Sequence, residues 1–176
     1  IYAPVKKNGM VTFSFTSVFE EIELSYVQTR LSAKAVVFPK IEKLMKYTIR
    51  KEGQSYEPYN TEEFPQVVLW GVHPCDAASF HALNAVFTWD SRDNYFTKRL
   101  ENLLIIGLSC TSHDEYCFCT SVGVHPGDTK GSDILLTPLP GGDYLAEIVT
   151  PKGEAVATAV PELFTSAPEV NKEEVV

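Results

Sequence analysis

Apolar residues follow a strand-like pattern in three parts of this 176-residue chain. Residues 9–15, GMVTFSF, alternate apolar with small or polar positions, which is typical of a half-buried strand. Residues 66–72, QVVLWGV, and 103–110, LLIIGLSC, are continuous apolar runs of strand length. Runs of this kind predict strands that are buried on both faces, near the middle of a sheet.

Helical spacing appears between the two buried strands. Phe80, Leu83 and Phe87 recur at i, i+3 and i+7, which predicts an amphipathic helix directly after the first of them. Residues 92–102, RDNYFTKRLEN, predict a second helix before the next strand. The order strand, helix, strand indicates a βαβ-like centre.

The segment before this centre has a mixed pattern. Residues 32–40, SAKAVVFPK, predict a short strand that Pro39 ends. Residues 41–53, IEKLMKYTIRKEG, place apolar side chains at helical spacing, which predicts a helix that ends at Gly53.

The later part of the chain predicts hairpins. Residues 133–139, DILLTPL, and 143–150, DYLAEIVT, are joined by a Pro-Gly-Gly turn, and residues 151–154, PKGE, predict a further turn. Residues 160–164, VPELF, predict a short closing helix. The expected fold is therefore α/β, a single domain with a mixed sheet, a βαβ-like centre and C-terminal hairpins.

Composition narrows the range of functions. With 44% apolar and 22% charged residues the chain has a globular balance, and its net charge of −8 argues against a nucleic-acid surface. No apolar run approaches the roughly 18 to 20 residues of a membrane span. Residues 1–165 are predicted to form the domain, and the charged, aperiodic residues 166–176 to form a linker.

The chemistry is concentrated in four cysteines. Cys75 and Cys110 each follow a buried strand, and Cys117 and Cys119 lie in the loop after Cys110. Ligands bind at the carboxyl ends of strands in open α/β sheets. If the two strands are parallel neighbours, all four thiols can meet at one site.

Neighbouring residues add detail to this candidate site. Cys75 is expected at a helix N-terminus, which would favour its thiolate, and Asp76 is expected to be the N-cap residue of that helix. His73 and His113 could each replace a thiolate in a mixed site, although a hydrogen-bonded loop histidine is the favoured interpretation of both.

The residues alone leave four alternatives open: an iron–sulfur cluster, a structural zinc, unligated thiols or a redox disulfide. The spacing matches neither a zinc finger nor the bacterial ferredoxin motif. A disulfide between Cys117 and Cys119 would close a strained ring. The sequence has no glycine-rich nucleotide motif and no convincing nucleophile with a base.

The sequence resembles a known family in four places. These are residues 71–83, GVHPCDAASFHAL; 93–110, DNYFTKRLENLLIIGLSC; 117–123, CFCTSVG; and, near the N-terminus, 32–47, SAKAVVFPKIEKLMKY. They are similar to the iron–sulfur subunit found as the beta subunit of cytosolic hydrogenase/sulfur reductase complexes, and to its counterpart in anaerobic sulfite reductase. The resemblance extends from about residue 3 to about residue 150.

The resemblance implies an iron–sulfur cluster, [4Fe-4S], bound by Cys75, Cys110, Cys117 and Cys119, with zinc as the alternative. His73 stands where the family typically has arginine. Family members usually continue into a ferredoxin-like segment with two further four-cysteine motifs, so residues 166–176 are expected to lead towards such a domain.

The resemblance also implies a cytoplasmic electron-transfer subunit of an oxidoreductase complex. Its expected partners are a flavin- or NAD(P)H-binding subunit and a catalytic hydrogenase or reductase subunit. The isolated domain would not be catalytic. The alternative is a docking domain whose cysteines hold zinc or remain free.

Overall fold

The computed structural model describes residues 1–167 and residue 172. Its main sheet has six strands: β1 Tyr2–Lys7, β2 Met10–Phe15, β5 Val67–Val72, β6 Leu103–Leu108, β7 Ile134–Pro138 and β8 Tyr144–Ile148. They lie in the order β2-β1-β5-β6-β7-β8. The four middle strands are parallel, and β2 and β8 are antiparallel edge strands. The predicted mixed α/β sheet is confirmed.

Two helices, α1 Pro74–Phe87 and α2 Asn94–Glu101, connect β5 to β6, and a third helix, α3 Pro151–Ala159, follows β8. The rings of Phe87 and Phe96 stack 4.3 Å apart and join α1 to α2. Strands β5 and β6 are parallel neighbours with both helices between them in sequence, so the predicted βαβ-like centre is confirmed.

The buried core fills one side of this centre. It combines side chains of β1, β2, β5 and β6 with side chains of α1, α2 and the segment 26–37. Leu69 and Val72 of β5 are fully buried, and Phe96 is 2% exposed. Four consecutive residues of β6, 105–108, are all buried, so its continuous apolar pattern is explained by burial on both faces, whereas the first half of β5 is only partly buried.

The structure contradicts the predictions for residues 32–53. The predicted strand is a 3₁₀ turn, Ala33–Val36, whose N-cap residue Ser32 accepts a hydrogen bond from the Lys34 amide. The predicted helix is a hairpin of β3, Met45–Arg50, and β4, Gly53–Pro58. Its β-branched and aromatic residues at every second position suit a strand better than a helix.

The C-terminal predictions are partly confirmed. β7 and β8 form the predicted antiparallel hairpin, and Pro161–Leu163 forms a short 3₁₀ turn. The turn predicted at residues 151–154 is wrong, because α3 begins there. Thr150 caps α3 by accepting a hydrogen bond from the Gly153 amide, and Pro151 occupies the first helical position, where its missing N–H costs nothing.

Among residues 1–167 and 172, no helix is both long and apolar enough to cross a membrane. Most of the predicted linker, residues 168–171 and 173–176, lies outside the described residues.

Candidate functional site

Cys75 is placed by the start of α1. His73 occupies the N-cap position and Pro74 the first helical position, so Cys75 lies in the first turn. Strand β5 ends at Val72, directly before this turn. The carboxyl end of a central parallel strand therefore carries the thiol, as the sequence predicts.

Cys110 follows the neighbouring strand at the same sheet edge. β6 ends at Leu108, and Cys110 comes two residues later. Its amide donates to the Pro126 carbonyl at 2.9 Å, and its Sγ donates to the Ser112 carbonyl at 3.0 Å. The backbone bond holds Cys110 against the later loop.

Cys117 and Cys119 lie in the loop that leaves this edge. Cys119 begins a 3₁₀ turn, Cys119–Val122, which ends at Gly123 with φ of 71°. The Cys117 amide donates to the Asp114 carbonyl at 3.3 Å, and the Asp114 amide approaches the Cys117 sulfur at 3.4 Å. Short local turns, rather than strands or helices, position these two thiols.

One cavity of about 750 Å³ is lined by all four cysteines. Tyr26, His73 and Lys34 line it as well, together with apolar residues such as Val124. All four cysteines are free thiols. The structure therefore brings the four candidate residues to one cavity at the carboxyl edge of the sheet.

The electrostatics of the thiols differ from the prediction. Burial raises the pKa of Cys75, and the charge of Asp76 raises it further. Burial also raises the pKa of Cys110, and the charges of Cys117 and Cys119 add to that rise. Desolvation and nearby negative charge therefore act against the thiolate that the helix N-terminus is expected to favour at Cys75.

The pKa shifts of Cys75 and Cys110 indicate that the thiols lie near one another in the cavity. Cys119 and Cys110 contribute to the raised pKa of Cys75, so the thiols interact through their charges. Four thiolates in one partly buried cavity repel one another unless a cationic group neutralises them. Metal binding to thiols releases their protons and relieves this repulsion. The donor set therefore fits an iron–sulfur cluster, which takes one thiolate on each of four irons.

The site fits a single metal ion less well than it fits a cluster. Among residues 1–167 and 172, no three His, Cys, Asp or Glu side chains are grouped closely enough to hold one ion. A four-iron cluster distributes its ligands over four metals, so it requires thiolates around a cavity rather than three donors around one point.

Asp76 does not cap α1. It lies in the first turn of the helix, where its carboxylate pairs with Lys34. The Ser32 hydroxyl lies 3.5 Å from the same carboxylate oxygen and 3.2 Å from the Lys34 ammonium. The prediction of an N-cap role is wrong by three positions, because Pro74 starts the helix earlier.

His73 is buried rather than exposed in a loop. It is 6% exposed, and its ring stacks on the Tyr26 ring with centroids 4.1 Å apart. Burial lowers the pKa of His73 to about 4, against the opposing effect of Asp76. The Tyr26 hydroxyl donates to the Gly71 carbonyl at 2.7 Å, so the stacked pair is fixed to the end of β5. The other candidate, His113, lies in the exposed cysteine loop.

Tyr26 and Lys34 are site residues that the sequence analysis did not identify. They precede Cys75 by more than forty positions, and Lys34 belongs to the segment, residues 32–53, whose secondary structure was predicted wrongly. No local pattern marks either residue as part of the site, since only the tertiary fold brings them to the start of α1.

The comparisons with known proteins give one informative similarity. The chain is 30% identical over 169 residues to sulfhydrogenase 2 subunit beta of Pyrococcus furiosus, which covers 96% of this chain and 48% of that protein. The chain thus spans about half the length of this relative. No model of a known protein family matches the chain, and no solved structure matches it. The similarity, over nearly the whole chain, supports a hydrogenase beta subunit-like family.

Proposed function

We propose that this chain is an electron-transfer domain of a hydrogenase or sulfur or sulfite reductase complex, and that Cys75, Cys110, Cys117 and Cys119 bind a [4Fe-4S] cluster. The observation that carries the proposal is the shared cavity: four thiols from two separate parts of the chain, the start of α1 and the loop after β6, line it. Thiols packed together without disulfides are typical ligands of iron–sulfur clusters.

When bound, the cluster would take up and release one electron at a time. The chain's own residues would set the conditions for this exchange. The first turn of α1 presents unpaired backbone N–H groups next to Cys75, and donors of this kind stabilise negative charge on sulfur. The buried Tyr26–His73 stack closes one wall of the cavity against water.

The proposal extends to partners. The relative is named as a subunit, and a one-electron centre requires a donor and an acceptor. We take these to be a flavin- or NAD(P)H-binding subunit and a catalytic hydrogenase or reductase subunit. The domain would end near residue 165, and residues 166–176 would lead to a ferredoxin-like domain.

A second candidate is a docking domain whose cysteines hold zinc or remain free. The raised pKa values of Cys75 and Cys110 favour the form with free cysteines, because they keep both thiols protonated, whereas zinc, like a cluster, would have to displace those protons. Such a domain would position its partners without carrying electrons.

Metal analysis separates the two candidates. Iron, acid-labile sulfide and zinc are measured per chain on protein purified and reconstituted without oxygen, together with the visible spectrum. We expect about four irons and four sulfides, with broad absorption near about 400 nm. Zinc, or no metal after reconstitution, would overturn the electron-transfer function in favour of docking.

A pair of variants assigns the ligands. Cys75→Ser should lose most of the iron, because serine does not replace a soft thiolate. Ala78→Ser is the matched control, since it adds a hydroxyl about one turn further along the same helix and lines the same cavity. Ala78→Ser should keep its iron. Full iron content in Cys75→Ser would remove Cys75 from the ligand set.

A further inference from the structure

The hairpin of β3 and β4 exposes an apolar face. In its register Tyr47 lies opposite Tyr56, and Met45 and Ile49 flank Tyr47 on the same side of the ribbon, because every second residue of a strand shares a face. Met45 is 61%, Ile49 68%, Tyr47 71% and Tyr56 75% exposed. We call these four residues the hairpin face.

The opposite side of the hairpin is polar. Lys46 lies opposite Glu57, and Thr48 lies opposite Ser55. The ribbon therefore has the alternation of a sheet that buries one side, yet the described residues leave that side open to water. Contiguous exposed apolar patches of this kind mark interaction sites, whereas single exposed apolar residues are ordinary.

The base of the hairpin is anchored to the domain. The Tyr59 amide donates to the Leu44 carbonyl at 3.0 Å, and the Tyr95 hydroxyl of α2 donates to the same carbonyl at 3.0 Å. Arg99 pairs with Glu42 through both of its terminal nitrogens and lies 4.0 Å above the Phe64 ring. The hairpin thus projects from a fixed base.

Charge is unevenly distributed around the hairpin. Residues 40–58 carry a net charge of +2, from five basic and three acidic residues, although the net charge of the chain is −8. The five basic residues are Lys40, Lys43, Lys46, Arg50 and Lys51, and all are exposed. Within residues 1–167 and 172 none of the five forms an ion pair. The apolar face therefore lies in a basic region of an acidic chain.

We propose that the hairpin face docks onto a different protein subunit, at an apolar strip bordered by Asp and Glu carboxylates. The excess of positive charge around the hairpin, part of it on the opposite side of the ribbon, selects an acidic partner, because opposite charges steer association and like charges resist it. A second copy of this chain is disfavoured, since a two-fold interface would place two basic hairpins against each other. The relative's name as a subunit agrees with an occupant of this kind. The proposal does not depend on what the cysteines bind.

The first test measures how well the backbone amides of the hairpin are protected from hydrogen exchange. The full-length chain is compared, free and assembled in its purified complex, by hydrogen–deuterium exchange of peptides covering residues 45–58. A two-stranded hairpin is marginally stable alone, so docking should slow exchange there by at least about tenfold. Unchanged exchange in the assembled complex would overturn the proposal.

The second test compares variants of the full-length chain in binding to the complex that lacks it. Ile49→Asp should weaken binding by about tenfold or more, as for a central apolar contact. Lys46→Glu together with Arg50→Glu should weaken it more at low salt than at high salt. Lys6→Glu together with Lys7→Glu, an equal charge change at two exposed positions of β1, is the control and should bind as the unmodified chain does.

Two other outcomes would assign the hairpin face to a different occupant. If the free chain sediments as a dimer and Ile49→Asp makes it a monomer, the occupant is a second copy. If the free chain binds vesicles of phosphatidylserine and phosphatidylcholine and Ile49→Asp does not, the occupant is a lipid surface. Either result would overturn the proposal. Retained far-ultraviolet circular dichroism in Ile49→Asp would exclude unfolding as the cause.

Discussion

The two halves of the cysteine site are built differently. Cys75 and Cys110 stand on elements whose backbone is paired and buried: Val72 at the end of β5 is fully buried, and Leu108 at the end of β6 is 4% exposed. Tyr116 and Phe118, next to Cys117 and Cys119, are 69% and 68% exposed. Folding alone therefore fixes the half with Cys75 and Cys110, which we call the anchored half. The loop half, with Cys117 and Cys119, depends on a few surface hydrogen bonds.

This difference suggests how such a site accepts a ligand. Regions with few buried contacts open at low free-energy cost, whereas central strands open only on global unfolding. A loop of this kind can adjust its thiols around a group that the anchored half has already bound. Changes to the anchored half should consequently cost stability, and changes to the loop should cost ligand affinity.

The largest effect is expected from Gly131→Ala. At Gly131, with φ of +87°, an added Cβ would lie 2.2 Å from the Ala77 carbonyl oxygen, in the backbone of α1 near Cys75. Overpacking and left-handed strain together should cost about 2 to 5 kcal/mol of unfolding free energy. Gly142→Ala is the matched control, because Gly142 also has positive φ, +96°, but no atom within 4 Å. It should lose about 1 to 2 kcal/mol.

Urea unfolding of the metal-free protein measures both variants. Equal losses would show that only backbone strain matters at Gly131. The close packing of this residue against α1 would then not hold the anchored half in place.

A smaller effect is expected from Asp133→Ala. The buried Asp133 carboxylate accepts a hydrogen bond from the Ile105 amide of β6 at 2.7 Å, and its other oxygen accepts one from Thr150. Without it, a buried N–H loses its acceptor, at a cost of about 1 to 3 kcal/mol. Asp128→Ala, which removes a 2.7 Å bond to the His125 amide at an exposed site, should cost about 1 kcal/mol or less. A larger loss in Asp128→Ala would contradict the role of burial.

The anchored half could be predicted from the sequence because one physical cause dominates there. Buried central strands are continuously apolar, so residues 67–72 and 103–108 are recognisable as strands. The helix that follows the first strand is recognisable from the helical spacing of its apolar residues. Parallel pairing then places Cys75 and Cys110 at one edge without any side-chain detail. The four candidate thiols were identified in this way.

The rest could not be predicted, since competing signals were present. Residues 41–53 fit a helical period through Ile41, Leu44 and Met45, but they also fit a strand period through Met45, Tyr47 and Ile49. Only pairing with residues 53–58 decides between the two. The start of α3 was a different failure: Thr150 and Pro151 are a helix start signal that was interpreted as a turn.

The loop half is tested by Asp114→Ala. The Asp114 carboxylate accepts hydrogen bonds from the Tyr116 amide at 2.9 Å and from the Gln28 side chain at 3.0 Å, next to Cys117. Because the residue is exposed, unfolding free energy should change by less than about 0.5 kcal/mol. If the proposed cluster is bound, iron should be lost to a chelator at about tenfold lower chelator concentration, as for other changes to groups that orient ligands.

Glu115→Ala is the matched control for this variant. Glu115 is an exposed neighbour for which the described residues provide no side-chain hydrogen bond. Its iron retention should equal that of the unmodified chain. If both variants retain iron equally well, the Asp114 contacts do not order the loop.

The smallest effect is expected from variants of the ion pair between Lys34 and Asp76. Lys34 pairs with Asp76, and both line the cysteine cavity. Reduction adds negative charge at the proposed cluster, so an uncompensated Asp76 carboxylate should disfavour it. Lys34→Met should therefore lower the midpoint potential, and Asp76→Asn should raise it, each by tens of millivolts, on the order expected for one partly screened charge. The double variant replaces a neutral pair with two neutral side chains and should return close to the original potential. Spectroscopic redox titration at constant iron content measures the midpoint potentials of the three variants. Shifts of the same sign in both single variants would mean that altered packing, rather than charge, changes the potential.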